Sequence, residues 1–367
     1  MSQDQLAQLQ WLVLAATGLV SVFLGALMHR THFCTMGAVS DAVVMQNFDR
    51  LRQWALALVV ASLGFGAMSL AGLVSPLKSI YAAPAVFWLS SLLGGLLFGW
   101  GMVLSSGCGV KSLVRLGAGN LKSLVVLMVM GISALMAMKG VLAMPRVHFL
   151  ETITWAPEQG VFLGQWISHY LQVDLGQGVF LAALAFSILL TVWIFKDRDF
   201  WTSFNVGTGL SVGLVICAFW WISGVWGHGM EHPDTLEEFF LATTSRKMEA
   251  LSTTAPVAMI LDALLYFSDG TKRLTLGMMS VMGICLGAFI SARISGTFKL
   301  EAFVGKSDLQ RHLIGACLMG CGAVLAMGCS VGQGLSGLST FSLASLLASM
   351  GILLGAYAAI WRDLQQA

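Results

Sequence analysis

The 367-residue chain is 57% hydrophobic and 10% charged, with a formal net charge of +2. A soluble domain carries roughly 25% charged residues, so this chain has too little charge to cover a water-facing surface and reads as a polytopic membrane protein. Its apolar runs are continuous rather than alternating, which excludes a β-barrel, and no basic block marks a nucleic-acid surface.

In chain order, hydrophobic segments are expected at 8–28, 53–75, 85–106, 123–144, 177–195, 204–226, 251–267, 274–294, 312–328 and 338–361. A spanning helix needs about 20 apolar residues. The segment at 251–267 is the weakest, being short and carrying Pro256 and Asp262 inside it. It is predicted to be a partial or re-entrant helix, which leaves about nine spans. The N-terminus lacks a basic leader, so the first run reads as a retained helix rather than a cleaved signal. With the N-terminus outside, the basic connections 29–52, 196–198 and 295–311 and Arg362 lie inside. The long, more acidic loops 145–176 and 227–250 then lie outside, as the positive-inside tendency requires. The expected fold class is all-α, a transmembrane helical bundle forming one transport domain over 1–367.

Two distant stretches carry the same pattern. Gly99–Val110 and Gly320–Val331 both read G-x-G-x-V-L-x-x-G-C-x-V without a gap. Charge parity places them at the ends of helices running in opposite directions. That is the pattern of an inverted repeat, with pseudo-symmetric halves at roughly 8–176 and 177–361. In transporters built this way, substrate sites lie near the membrane midplane, at glycine-interrupted helices in corresponding positions of the two halves. Gly107, Gly109 and Gly328 let the backbone leave the helix beside Cys108 and Cys329. Irregular backbone at that depth lines a cavity or is buried in protein. A third cysteine, Cys34, follows the first span after the polar break Met28-His29-Arg30-Thr31-His32-Phe33.

Lys111 and Arg115, four apart on one helical face, either raise the local concentration of an anion or serve as ordinary interfacial anchors. His228 and His232 are also four apart, but no third metal ligand accompanies them. Cys217 and Cys285 read as core residues, and Cys317 and Cys321 as small-residue packing. No C-x-x-C occurs and no loop holds two cysteines, so all seven are expected to be free thiols. No cofactor or metal motif stands out, and the chain does not read as an enzyme.

Together these residues resemble the YeeE/YedE sulfur-transport family of bacterial inner-membrane proteins. The match rests on His29-Arg30-Thr-His-Phe-Cys34…Gly37-Ala38…Asp41, on Ser106-Gly107-Cys108-Gly109…Leu113-Val-Arg115-Leu-Gly117-Ala-Gly119-Asn120-Leu121, and on Met327-Gly328-Cys329. The resemblance implies an inner-membrane importer of a small sulfur-containing anion, thiosulfate first among them. It also implies a mechanism in which three cysteine thiols, by position Cys34, Cys108 and Cys329, line a narrow path. Arg30, Lys111 and Arg115 are candidate pathway cations. A small cytoplasmic sulfur-carrier protein is a further candidate partner. Two alternatives stay open: a related sulfur or selenium substrate, or a membrane thiol–disulfide relay that would pair Cys108 with Cys329.

Overall fold

The structure, a computed structural model, describes residues 3–231, 236–268, 273–303 and 305–366. The helices, in chain order, are α1 (Gln3–Thr31), α2 (Thr35–Val44), α3 (Asp49–Leu70), α4 (Trp88–Leu104), α5 (Gly109–Gly117), α6 (Leu121–Met138), α7 (Ala143–Pro145), α8 (Leu163–Leu171), α9 (Leu175–Phe195), α10 (Ser203–Trp221), α11 (Thr254–Leu265), α12 (Leu276–Ile294), α13 (Lys306–Leu325) and α14 (Leu343–Gln366). A π-helical turn, Gly332–Gly337, joins α13 to α14. Two short antiparallel strands, His228–Gly229 and Phe239–Phe240, sit in the loop before α11.

Every hydrophobic segment expected from the sequence forms a helix. Eight stretches among the described residues are long and apolar enough to cross a bilayer. A ninth helix, α13, has twenty residues but opens on Lys306, Asp308, Arg311 and His312, so its first turns are polar. Helix starts follow local chemistry. The side chains of Asn120, Thr202 and Thr275 accept from Ser123 N (3.1 Å), Asn205 N (3.2 Å) and Met278 N (3.3 Å), each filling an orphan donor of the first turn. The stretches 29–52 and 145–176, expected as connections, contain helices of their own, α2 in the first and α8 in the second.

The centre of the bundle is a glycine-lined crossing of α4 and α13. A Cβ on Gly101 would lie 2.6 Å from Gly315 O, and one on Gly322 would lie 2.7 Å from Gly94 O. Residues early in α4 therefore meet residues late in α13, and the two helices run antiparallel. Exchanging α4 with α13 carries these two contacts into each other, because Gly94 and Gly101 hold the places of Gly315 and Gly322. The flanking contacts exchange too. Gly99 packs on Ala356 of α14 and Gly320 packs on Ser133 of α6, each with a Cβ position 2.8 Å from its neighbour.

The segment around α11 does not cross. The chain enters from the 227–250 loop and reaches the buried Leu251, Thr253 and Thr254. It then turns back alongside α6, Gly131 packing on Val257 and Ala258. Asp262 emerges to meet Lys139 Nζ at 3.2 Å. Pro256 stands in the first turn of this twelve-residue helix, where its missing N–H costs nothing. The segment is re-entrant, as its length and Pro256 predicted.

Candidate functional site

The three cysteines occupy the same local structure. Each lies two residues after a residue in the left-handed region, namely His32 (φ 53°), Ser106 (φ 55°) and Met327 (φ 56°). At the last two the preceding helix closes with paired amides. Gly107 N donates to Met102 O and Gly328 N to Ala323 O, both at 2.8 Å, while Ser106 N and Met327 N reach Val103 O and Val324 O. This is the Schellman pattern of a helix end. Each cysteine then starts a new helix. The carbonyls of Cys34, Cys108 and Cys329 accept from Ala38 N (2.9 Å), Ser112 N (3.0 Å) and Gln333 N (2.8 Å).

The amide three residues on is aimed back at the thiol in every case. Gly332 N donates to Cys329 Sγ at 3.4 Å, and the amides of Gly37 and Lys111 face the Cys34 and Cys108 thiols. All three thiols are buried. They sit where the free N–H groups of a helix start favour negative charge.

Two cavities approach these thiols from opposite ends of the bundle. The first, of about 610 Å³, is lined by His29, His32, Ser106, Lys111, Arg115, Lys122 and Lys299 among others. It is cationic in balance. Lys122 is paired to Asp308 at 2.7 Å, while Lys111 and Arg115 belong to no ion pair among the described residues. The second cavity, of about 360 Å³, is lined by Tyr81, Arg146, Glu249, Ser252, Met327 and Gly328 among others. Helix α6 connects the two, with Lys122 in the first and Met138 in the second. Its eighteen residues make it about 27 Å long, close to the thickness of a hydrocarbon core.

Cys34 and Cys108, whose thiols are in hydrogen-bond contact, lie two residues beyond His32 and Ser106, which line the basic cavity. Cys329 follows Gly328, which lines the other. Between them stands Thr253, whose hydroxyl donates to Cys329 Sγ at 3.2 Å. The same oxygen would be 2.8 Å from a Cβ on Gly109, the residue after Cys108. Thr253 is thus a one-side-chain partition between the two glycine–cysteine breaks. Gly109 is glycine because nothing larger fits against it. Ser252 Oγ lies 3.9 Å from Cys329 Sγ, and the Tyr81 hydroxyl donates to Gly332 O, holding the turn that follows Cys329.

Of the residues singled out in the sequence, Cys34, Cys108, Cys329, Gly107, Gly109, Gly328, Lys111 and Arg115 converge here. Lys111 acts electrostatically on both Cys34 and Cys108. Arg30 does not converge: it is exposed at the end of α1. The guanidinium at the turn after Cys34 is instead that of Arg50, which would be 2.8 Å from a Cβ on Gly37 and pairs with Asp41 at 3.2 Å. The thiol brought to Cys108 is that of Cys34, not Cys329. Thr253, Ser252 and Arg50 gave no signal in the sequence, because each reaches the site through a long-range contact. All seven cysteines are free. His232 lies outside the described residues, and no metal-binding cluster occurs among those described.

A profile of the sulphur transport family matches residues 30–358. The chain belongs to the sulphur transport family. Two relatives within reach of this family member are transporters by name. The thiosulfate transporter TsuA of Escherichia coli (strain K12) is 26% identical over 377 residues, covering 94% of this chain and 93% of the relative. The thiosulfate transporter TsuA of Spirochaeta thermophila is 26% identical over 360 residues, covering 94% and 98%. The family match spans all three cysteine breaks and eight apolar stretches fit to cross a bilayer. This family member is therefore a multi-pass membrane transport protein, and an inner-membrane location fits its bacterial relatives.

Proposed function

We propose that this protein imports thiosulfate, passing it from Cys329 to Cys108 and Cys34 by hydrogen bonds without covalent change. The observation that carries the reading is the threefold recurrence of one break: a left-handed residue, a buried thiol, and the start of a new helix. A dianion is costly to place in hydrocarbon, so its hydration must be replaced at each point by donors that bind weakly enough to release it. Thiols are weak S–H donors suited to the soft terminal sulfur of thiosulfate, and helix-start amides suit its sulfonate oxygens. The breaks supply both. Thiolates would repel the anion, so this reading requires each thiol to carry its proton as the anion passes.

The basic cavity faces the cytoplasm in this reading, which keeps the positive-inside orientation. The cavity holding Arg146 faces outward. The halves 8–176 and 177–361 form an inverted repeat that brings the Cys108 and Cys329 breaks to opposite sides of Thr253, a view supported by the exchangeable glycine contacts of α4 and α13. The cationic mouth suits a small acidic carrier protein that receives the sulfur compound inside. Import of a dianion against an inside-negative potential costs about 4.6 kcal/mol per 100 mV, twice the value for one charge. Cations along the path lower local barriers but leave that cost unchanged.

The reading is tested in proteoliposomes by measuring uptake of thiosulfate, sulfate, sulfite and selenium analogues. Saturable thiosulfate uptake with little sulfate uptake is expected. Equal uptake of sulfate and thiosulfate overturns the reading. Lys111→Gln removes the cation that acts on both inner thiols, and an interaction with a charged ligand is worth about 1.5–3 kcal/mol. Maximal uptake is therefore expected to fall roughly tenfold or more, measured as initial rate at saturating thiosulfate, with normal protein level in the membrane.

A further inference from the structure

One carboxylate in the outward cavity has no place in the path just described. Glu249 lines that cavity together with Arg146, Ser252 and Gly328, three residues before Ser252 on the strand of chain that leads to Thr253 and Cys329. Its Oε1 accepts from Ser245 Oγ (2.7 Å), Ser245 N (2.8 Å) and Thr244 N (3.0 Å), all uncharged donors of one turn. Its own amide donates to Ser223 Oγ at 2.8 Å. These bonds fix the side chain and leave Oε2 as the position for a proton.

No cation facing Glu249 holds it ionised. Arg146 is occupied by Glu151. Lys247, on the same strand, sends its ammonium to Ala82 O at 2.6 Å. Arg246 precedes it in a left-handed turn and is exposed. Tyr81 carries no positive charge. The other acid near the membrane core, Asp262, meets Lys139 at 3.2 Å and is thereby neutralised as an ion. Burial raises the Glu249 carboxyl above its ordinary value, because removing water disfavours the charged form, and it outweighs the Ser245 and Thr244 bonds that favour that form.

We propose that Glu249 is a proton-binding site coupled to anion binding, so that the outward cavity takes up the sulfur oxyanion together with one proton. An ionised Glu249 in a cavity of this size repels a dianion. A protonated one removes that repulsion and offers the anion an O–H donor. Linkage makes the coupling reciprocal: protonation tightens anion binding, and the anion tightens proton binding by the same factor. The proton comes from external water and sits on Oε2, and no other bond is made or broken. One proton per anion also removes one of the two charges moved against the membrane potential at the binding step. This inference rests on the thiosulfate reading above and adds the coupled ion.

The test uses purified full-length protein in weakly buffered detergent solution with a pH-indicating dye, alongside calorimetry of thiosulfate binding. The wild type is expected to take up about one proton per thiosulfate bound at pH above the carboxyl's own titration, with affinity falling up to tenfold per pH unit there. Glu249→Gln keeps an oxygen to accept from Ser245 and Thr244, so it is expected to fold, to bind thiosulfate with pH-independent affinity, and to take up no proton. Thiosulfate binding by the wild type without proton uptake overturns the coupling while leaving the transport reading intact. Unchanged proton uptake in Glu249→Gln overturns the assignment to this residue. Absence of thiosulfate binding in the wild type overturns the substrate itself, and the coupling with it.

Discussion

Alanine in place of Cys108 is expected to abolish growth of a strain that depends on imported thiosulfate for sulfur, at normal protein level in the membrane. Cys34→Ala and Cys329→Ala are expected to do the same. Each removes one of the three thiol donors on the path. Losing a hydrogen bond to a charged partner is worth about 1.5–3 kcal/mol, which is roughly a tenfold to hundredfold drop in initial uptake rate. Cys329→Ser keeps an O–H donor in the same geometry beside Thr253 and is expected to retain more uptake than Cys329→Ala. Alanine at Cys217, Cys285 or Cys317 is expected to leave uptake unchanged, since each lies inside a regular helix rather than at one of the three breaks. Undiminished growth for all three path variants would sink the three-thiol account.

The second large effect is structural. Gly101→Val and Gly322→Val are each expected to destabilise the protein by about 3 kcal/mol or more, at the upper end of overpacking costs. The new Cβ of Gly101→Val meets backbone, Gly315 O at 2.6 Å and Met319 N at 2.8 Å. That of Gly322→Val meets Phe98 N at 2.6 Å and Gly94 O at 2.7 Å. Backbone cannot swing aside as a side chain can, so the α4–α13 crossing must open. The equal severity of the two substitutions reflects their equivalent places in the crossing. Gly207→Ala, in α10, meets nothing within 4 Å and is expected to be neutral or slightly stabilising, because alanine is the better helix former. Thermal unfolding of the three variants in one detergent separates these outcomes. Similar melting temperatures for Gly101→Val and Gly207→Ala would contradict the packing account.

Much of the fold was legible because membrane helices announce themselves by unbroken apolar length. The re-entrant segment was legible for the opposite reason: 251–267 is too short and carries Asp262, which the structure places against Lys139. The helix α8 was not legible, since its nine residues, Leu163–Leu171, are too few and too mixed to stand out from a loop.

In the site, Cys108 and Cys329 were legible as a pair through their shared glycines. Cys34 was not recognisably the same element, because Phe33 stands where Gly107 and Gly328 stand. What the three share is a left-handed residue two positions earlier, filled by His32, Ser106 and Met327. That is a backbone property with no single side-chain signature, so no pattern of letters reports it. Arg50, Thr253 and Glu249 join through contacts between segments far apart in sequence. Arg30, named beside Cys34 in the sequence, is exposed at the end of α1.

The most direct test of the central claim uses a variant that keeps Cys34, Cys108 and Cys329 and replaces the other four cysteines with alanine. Its thiosulfate uptake is measured in proteoliposomes, and the protein is quenched in acid during turnover and weighed intact by mass spectrometry. Hydrogen-bonded passage predicts uptake at the wild-type rate with all three thiols unmodified throughout. A persulfide carrying an added sulfur, or a disulfide between Cys34 and Cys108 that forms and disappears with turnover, would contradict it and point to covalent or redox chemistry.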